Sequence, residues 1–458
     1  MPSLALFAIF GLRRPPKHEP CRARPVLARP LRPPVPRAVR SRRPRRAAQA
    51  PLRSALTREV RMTERSSLRT RAVAGEPVDP TYRAIGTPVV QATSFVVEPG
   101  EVGFSAADMQ EEQPYFYGRW GSPTVRVLEQ RLADLDDGED AVCFASGMAA
   151  ASGLLLHLLR AGDHAIVSDV CYAGVAELCA GALRRLGVEI TFADLSDLEE
   201  VRGALRPGTR LVYAETPVNP TLRLADVEAL ADLAHRAGAA LAVDSTIATP
   251  FGLRPLALGA DYVLHSLTKY ACGHGDALGG VVVGRRAAMA ALRQDALVHL
   301  GAAMSPSSAS LILRGLVTLP LRMRAHEEGA RAVAEFLERH PRVRRVLYPG
   351  LASHPQAELA RRQLQNASGL LAFVADGGDA LARRLAERLR LILYAVSLGK
   401  HRSLVYFLPT EDLLRTSFPL QGDKAARFRA VAGEGLFRLS VGLEAPEEIV
   451  ADLEQALR

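Results

Sequence analysis

The chain is 458 residues long, 48% hydrophobic and 23% charged, which is enough to bury a large core in more than one domain and is ordinary for a globular protein. No apolar run reaches the roughly 18 residues of a membrane helix. The five cysteines (Cys21, Cys143, Cys171, Cys179, Cys272) are odd in number and show no CxxC spacing, which argues for a reducing compartment and against a disulfide framework or a metal site.

The net charge of +9 is concentrated in one place. Residues 1–61 hold 16 Lys and Arg against 2 acids, so the remainder is mildly acidic and offers no nucleic-acid surface. This Pro-rich head is expected to be disordered. Three readings stay open for it: an organelle transit peptide, a basic tail for polyanions, or translation begun too far upstream, with Met62 the true start. The last is preferred, because ordinary-looking sequence opens at Met62.

Residues 62–114 lack a helical period and read as an extended arm. Tyr117 and Arg119 follow it. An Arg there could grip a phosphate by paired hydrogen bonds, or simply face water. The stretch 141–150, AVCFASGMAA, is a strand turning into a small-residue helix at Ser146-Gly147-Met148. Such a start leaves unpaired N–H groups at a positive dipole end.

Strands and helices then alternate, the signature of an α/β fold. Helices are expected at 147–159, 175–186, 198–205 and 227–237, and strands at 165–168, 189–192, 210–215, 240–244, 262–264 and 280–283. Tyr172, Glu215, Asn219, Asp244 and Lys269 all fall just past strands, where ligands gather in open α/β sheets. Glu215 is read as shaping a turn.

Asp244 ends an apolar strand and suits a charge partner for a pyridine nitrogen. Taken alone, a strand-end Asp is more often a helix cap or a metal or sugar ligand. Lys269, past the next strand and between the hydroxyls of Ser266 and Thr268, suits an imine to an aldehyde cofactor whose phosphate the hydroxyls bind. Taken alone it could be a surface lysine. From about residue 306 longer amphipathic helices (321–339, 379–388) and short strands (369–374) indicate a smaller α+β domain, 306–458, after a large domain, 115–305.

Six stretches carry a resemblance: Tyr117-Gly-Arg119 with Pro123-Thr124, FASGMAA, Glu215-Thr-Pro-Val-Asn219-Pro-Thr, DSTIATP, HSLTKY, and Arg438-Leu-Ser-Val-Gly-Leu-Glu444. In order and content they resemble the pyridoxal phosphate (PLP)-dependent Cys/Met-metabolism (trans-sulfuration) enzymes: cystathionine γ-synthase, cystathionine γ-lyase and methionine γ-lyase. The resemblance runs from about residue 84 to the C-terminus. It implies a PLP fold-type I architecture, like aspartate aminotransferase, with a mostly parallel sheet in the large domain. It implies pyridoxal 5'-phosphate held by Lys269, Asp244, Asn219, Gly147, Met148, Ser266 and Thr268, with Tyr172 stacked on the ring and acting as an acid. Tyr117 and Arg119 would bind the phosphate of a neighbouring subunit, so the unit would be at least a homodimer and by family habit a homotetramer. Ser397 and Arg438 would hold the amino-acid substrate. A cytoplasmic carbon–sulfur lyase acting on cystathionine, methionine or a relative is expected, without nucleic-acid or membrane partners. The alternatives are γ-replacement on an O-acyl-homoserine and a PLP-binding protein without turnover.

The chain departs from the family pattern at Ser122 and Ser245, where Asn is usual. It departs further over 400–409, where Ser403-Leu-Val-Tyr-Phe-Leu-Pro409 lacks the usual histidine. Val396 resembles methionine γ-lyases, whereas Gly174 replaces the cysteine those enzymes carry.

Overall fold

Short apolar runs buried on both faces build the first of two sheets. Its strands are β1 (Asp140–Phe144), β2 (His164–Ser168), β3 (Glu189–Ala193), β4 (Thr209–Glu215), β5 (Ala240–Asp244), β6 (Tyr262–His265) and β7 (Gly280–Gly284). They lie in the order β1-β7-β6-β5-β4-β2-β3, parallel except that β7 runs antiparallel to both its neighbours. Strands buried on two faces need an apolar centre, as 141–144 of β1, 165–167 of β2 and 281–283 of β7 provide. The computed structural model describes residues 66–79, 81–103, 105–106, 114–418 and 420–458, so the basic head lies outside the described residues. Among those described, no helix is long and apolar enough to cross a membrane.

The second sheet holds β8 (Val343–Leu347), β9 (Leu370–Ala375), β10 (Leu393–Tyr394), β11 (Leu404–Pro409) and β12 (Gly435–Ser440) in the order β10-β11-β12-β9-β8. It is antiparallel apart from the β10–β11 pair. Phe373, Phe407 and Phe437 form its aromatic centre, with ring centroids 5.1 Å apart for Phe373–Phe437 and 4.6 Å for Phe407–Phe437. Together the sheets give the α/β architecture, with a mostly parallel layer and a smaller α+β layer.

Two elements differ from the sequence expectation. A helix, Leu68–Ala74, interrupts the arm that was read as extended. The Ser67 hydroxyl caps it by accepting from the Thr70 N–H, and Ala72 is fully buried. The helix expected at 321–339 instead runs from Pro306 to Arg339, straight through Pro320. A proline there removes one backbone bond and costs about 3 kcal/mol. Five buried side chains around it (Ile312, Leu313, Leu316, Leu319, Met323), each contributing roughly 1.5–3 kcal/mol, outweigh that cost.

This long helix touches both sheets' functional ends. Arg322 donates to the carbonyls of Tyr270 (2.6 Å) and Gly315 (2.7 Å). One turn later, Nδ1 of His326 donates to the Val441 carbonyl at 2.8 Å, just past β12. Burial lowers the pKa of Arg322 to about 10 and that of His326 to about 4.

Candidate active site

The carboxyl ends of β2, β4, β5 and β6 open onto one cavity of about 310 Å³. Tyr172, Asn219, Asp244, Ser266, Thr268 and Lys269 line it, with Gly147 and Met148 from the start of the helix Gly147–Leu158. Residues spread over more than 120 positions of chain thus meet at one sheet edge. Tyr172 remains 47% exposed, so its ring is open to a ligand.

Lys269 follows β6 by four residues. Its Nζ lies 3.3 Å from the Ser397 hydroxyl, which the second sheet's side delivers. Burial lowers the Lys269 pKa first, and the nearby charges of Arg438 and Lys400 lower it further, favouring the neutral, nucleophilic amine. Arg438, on β12, donates to the Ser397 carbonyl (3.1 Å) and to Oδ1 of Asn219 (3.2 Å). Ser397 adopts φ +100°, a strained conformation for a residue with a side chain. The strain turns its hydroxyl to the lysine while its carbonyl meets the arginine.

Asp244 ends β5. Its Oδ1 accepts from the Thr246 N–H (3.0 Å) and hydroxyl (2.6 Å), and the Thr246 hydroxyl accepts from the Ser266 N–H (2.8 Å). One threonine therefore couples the carboxylate to Ser266. Burial raises the Asp244 pKa, only partly offset by those Thr246 bonds. Behind it, buried His265 bonds the fully buried Asp136 at 2.9 Å. Burial opposes charge on this imidazole, but the charge and hydrogen bond of Asp136, with the charge on Asp244 and a backbone bond at Ser245, together outweigh it and the His265 pKa is raised.

Glu215 lines the same cavity and is buried. One carboxylate oxygen accepts from the Tyr172 N–H at 2.6 Å and the other from the Asn219 N–H at 2.7 Å. Burial, then the charge on Asp244, push its pKa up to about 8.

Tyr117 and Arg119 are not brought to this cavity within the chain. The Arg119 guanidinium lies 5.4 Å from the Tyr117 ring centroid and donates to the Val298 carbonyl. Both line a second cavity of about 530 Å³, together with Trp120, Arg126 and Arg293. Sequence reasoning gave no place to Thr246, His265, Asp136 or Lys400. Thr246 and His265 could have been noticed, since they sit inside the DSTIATP and HSLTKY stretches, but Asp136 carries no local signal.

The residues present fit a phosphorylated pyridine aldehyde. The Ser146 hydroxyl and carbonyl accept from the Ala149 and Ala150 amides, leaving those of Gly147 and Met148 at the positive helix end for an anion. A Cβ on Gly147 would come within 2.7 Å of the Ser266 hydroxyl, so only glycine leaves room for this cradle. Amine, carboxylate and anion cradle line one cavity of small-molecule size.

The profile of the Cys/Met metabolism PLP-dependent enzymes matches residues 69–458. The chain is 40% identical over 397 residues to an L-methionine gamma-lyase of Fusobacterium nucleatum subsp. polymorphum, covering 86% of this chain and 99% of that protein. It is 42% identical over 388 residues to the canavanine gamma-lyase of Pseudomonas canavaninivorans, covering 84% and 94%. The solved structure of metB from Corynebacterium glutamicum superposes with a TM-score of 0.76 at 36% identity, covering 86% and 98%. On its motifs, its fold and these relatives, the chain belongs to the PLP-dependent Cys/Met-metabolism enzyme family.

Proposed function

We propose that the chain is a PLP-dependent carbon–sulfur lyase that eliminates the γ-substituent of methionine, cystathionine or a related sulfur amino acid. The observation that carries this reading is the hydrogen-bonded path from Lys269 through Ser397 to Arg438 and Asn219, beside buried Asp244. The gamma-lyases among its relatives support the same reaction class.

Bound in this cavity, PLP supplies an electron sink for charge developing at the substrate's α-carbon. Gly147, Met148, Ser266 and Thr268 would hold its phosphate, Asp244 its ring nitrogen, Asn219 its phenolic oxygen, and Lys269 would be its covalent anchor. Arg438 binds the substrate carboxylate with its forked donors, already aimed by Asn219 and Ser397. With its pKa lowered, Lys269 removes the α-proton and then moves protons between neighbouring carbons. The Tyr172 hydroxyl delivers a proton to the departing sulfur. Tyr117 and Arg119 serve the cavity of a second copy, so the working unit is at least a homodimer and, in this reading, a homotetramer. Residues 62–114, 115–305 and 306–458 act as arm, cofactor-binding domain and small domain. The protein works in the cytoplasm, where Cys143, Cys171, Cys179 and Cys272, all buried and free, stay reduced.

A second reading, γ-replacement by a thiol on an O-acyl-homoserine, is favoured by the likeness to metB. A third, PLP binding without turnover, is motivated by the unusual run at 400–409. A panel of methionine, cystathionine, homocysteine, cysteine, canavanine and O-acyl-homoserine with thiols separates them. Release of 2-oxo acid and ammonia supports the lyase, a new thioether supports replacement, and no product from any substrate supports binding alone. Lys269→Ala should abolish both the yellow cofactor band and turnover; persistence of both would end the proposal.

A further inference from the structure

We propose that Glu215 is a positioning residue whose ionised carboxylate clamps two active-site segments together, one carrying Tyr172 and the other Asn219. The proposal rests on the cavity being the active site. Each oxygen takes one backbone N–H, at 2.6 Å from Tyr172 and 2.7 Å from Asn219. The two segments follow different strands, β2 and β4, and the carboxylate bridges them beside the Arg223–Asp169 ion pair, which ties the same segments further from the cavity's Tyr172 and Asn219. The Glu215 N–H in turn donates to the Ser168 hydroxyl at 3.3 Å, anchoring the clamp to the end of β2.

Only a carboxylate satisfies both donors. Glutamine presents one oxygen and one NH₂, so one backbone N–H would face another donor. Bonds to a charged acceptor are also about twice as strong as neutral ones. The clamp reaches the substrate side as well, because Asn219 Oδ1 accepts from Arg438.

The arrangement keeps a second buried carboxylate beside Asp244, its register partner on β5. The titratable groups bearing on Glu215 are Asp244 from β5, Cys171 from the segment after β2 and Tyr213 from its own strand, with Lys269 on the same cavity. Protonation turns one oxygen into a donor and opens half of the clamp. Since burial and Asp244 push the Glu215 pKa up to about 8, the clamp closes as pH rises through that value. A group that only filled space would confer no such dependence.

The test uses the holoenzyme as wild type, Glu215→Gln and Glu215→Ala. Hydrogen exchange is followed by mass spectrometry on peptides containing the Tyr172 and Asn219 amides, and kcat and kcat/KM are measured across pH. In Glu215→Gln, exchange in those peptides should quicken at least about tenfold, since one tenfold step matches the loss of one such bond. A fall of up to about a hundredfold should appear mainly in kcat. The wild-type ascending limb, centred near pH 8, should vanish in the variant. If Glu215→Ala does not fold, the equal-sized Glu215→Gln decides. The wild type alone gives a third reading, since protection of the two amides should rise with pH along the limb. Unchanged exchange in Glu215→Gln, or survival of the limb, would overturn the clamp. Because the exchange measurement needs no turnover, it stands even if the lyase reading fails.

Discussion

Replacing Gly147 with alanine sends a methyl group into Ser266. The added Cβ would lie 2.7 Å from the Ser266 hydroxyl oxygen, 2.8 Å from its Cβ and 3.2 Å from its Cα, all inside ordinary contact. Ser266 has little freedom to retreat, because its N–H donates to Thr246, which in turn holds Asp244. Overpacking of this kind costs about 1–3 kcal/mol. Alanine returns up to about 1 kcal/mol of helix propensity, so the net loss of fold stability should lie between about 0 and 3 kcal/mol. The cofactor loses more. Displacing one hydroxyl from a charged phosphate costs about 1.5–3 kcal/mol, which weakens binding roughly 10- to 150-fold. Apoenzyme titrated with PLP and followed by the absorbance of the bound form gives Kd, and a urea midpoint on apoenzyme gives stability. A Kd within twofold of wild type, with native stability, would refute the placement of the anion cradle at Gly147 and Ser266.

Arg438→Lys should raise KM for the amino acid by about 10- to 100-fold while leaving the cofactor spectrum unchanged, because a lysine offers a point charge where the arginine offers a fork aimed by Asn219 and Ser397; steady-state kinetics checks this. Asp452 accepts from the N–H groups of Arg390, Leu391 and Ile392 at 2.9 Å each. Burial raises its pKa but these bonds outweigh it, and the net shift is downward. Its contribution is therefore present above pH 3.8, the ordinary value, and is lost as pH falls through the lowered one. Asp452→Asn should cost about 1–3 kcal/mol at pH 7, and denaturant midpoints for the pair should converge in strong acid. Phe373→Ala removes a fully buried ring stacked on Phe437 and should cost about 3–5 kcal/mol, read as a lowered urea midpoint at unchanged slope.

Strand positions in the first sheet were legible because an apolar run between turn signals leaves a chain few alternatives, and Ala240–Asp244 was placed to the residue. Lys269, Asp244, Asn219 and Tyr172 could be foreseen together since each follows a strand, and the sheet brings those ends to one edge. The bonds that Thr246, Glu215 and His265 make could not, although all three residues sit in recognisable stretches. Their partners lie 20, 43 and 129 residues away, and no local spacing encodes which strand will be the neighbour. The helix through Pro320 was hidden for a related reason: a local rule against proline yields to burial that only the folded neighbours provide. Tyr117 and Arg119 have recognisable motif residues, yet one chain alone does not unite them with the lysine.

The helix Pro306–Arg339 holds the loop after Lys269 through Arg322 and the strand end after Arg438 through His326, a single turn apart. It acts as a caliper whose jaws are the amine and the guanidinium. The spacing between those two groups is then set by the pitch of a rigid rod rather than by the joints between the sheets. Substitutions along this rod are accordingly expected to alter the spacing of amine and guanidinium from positions remote from both.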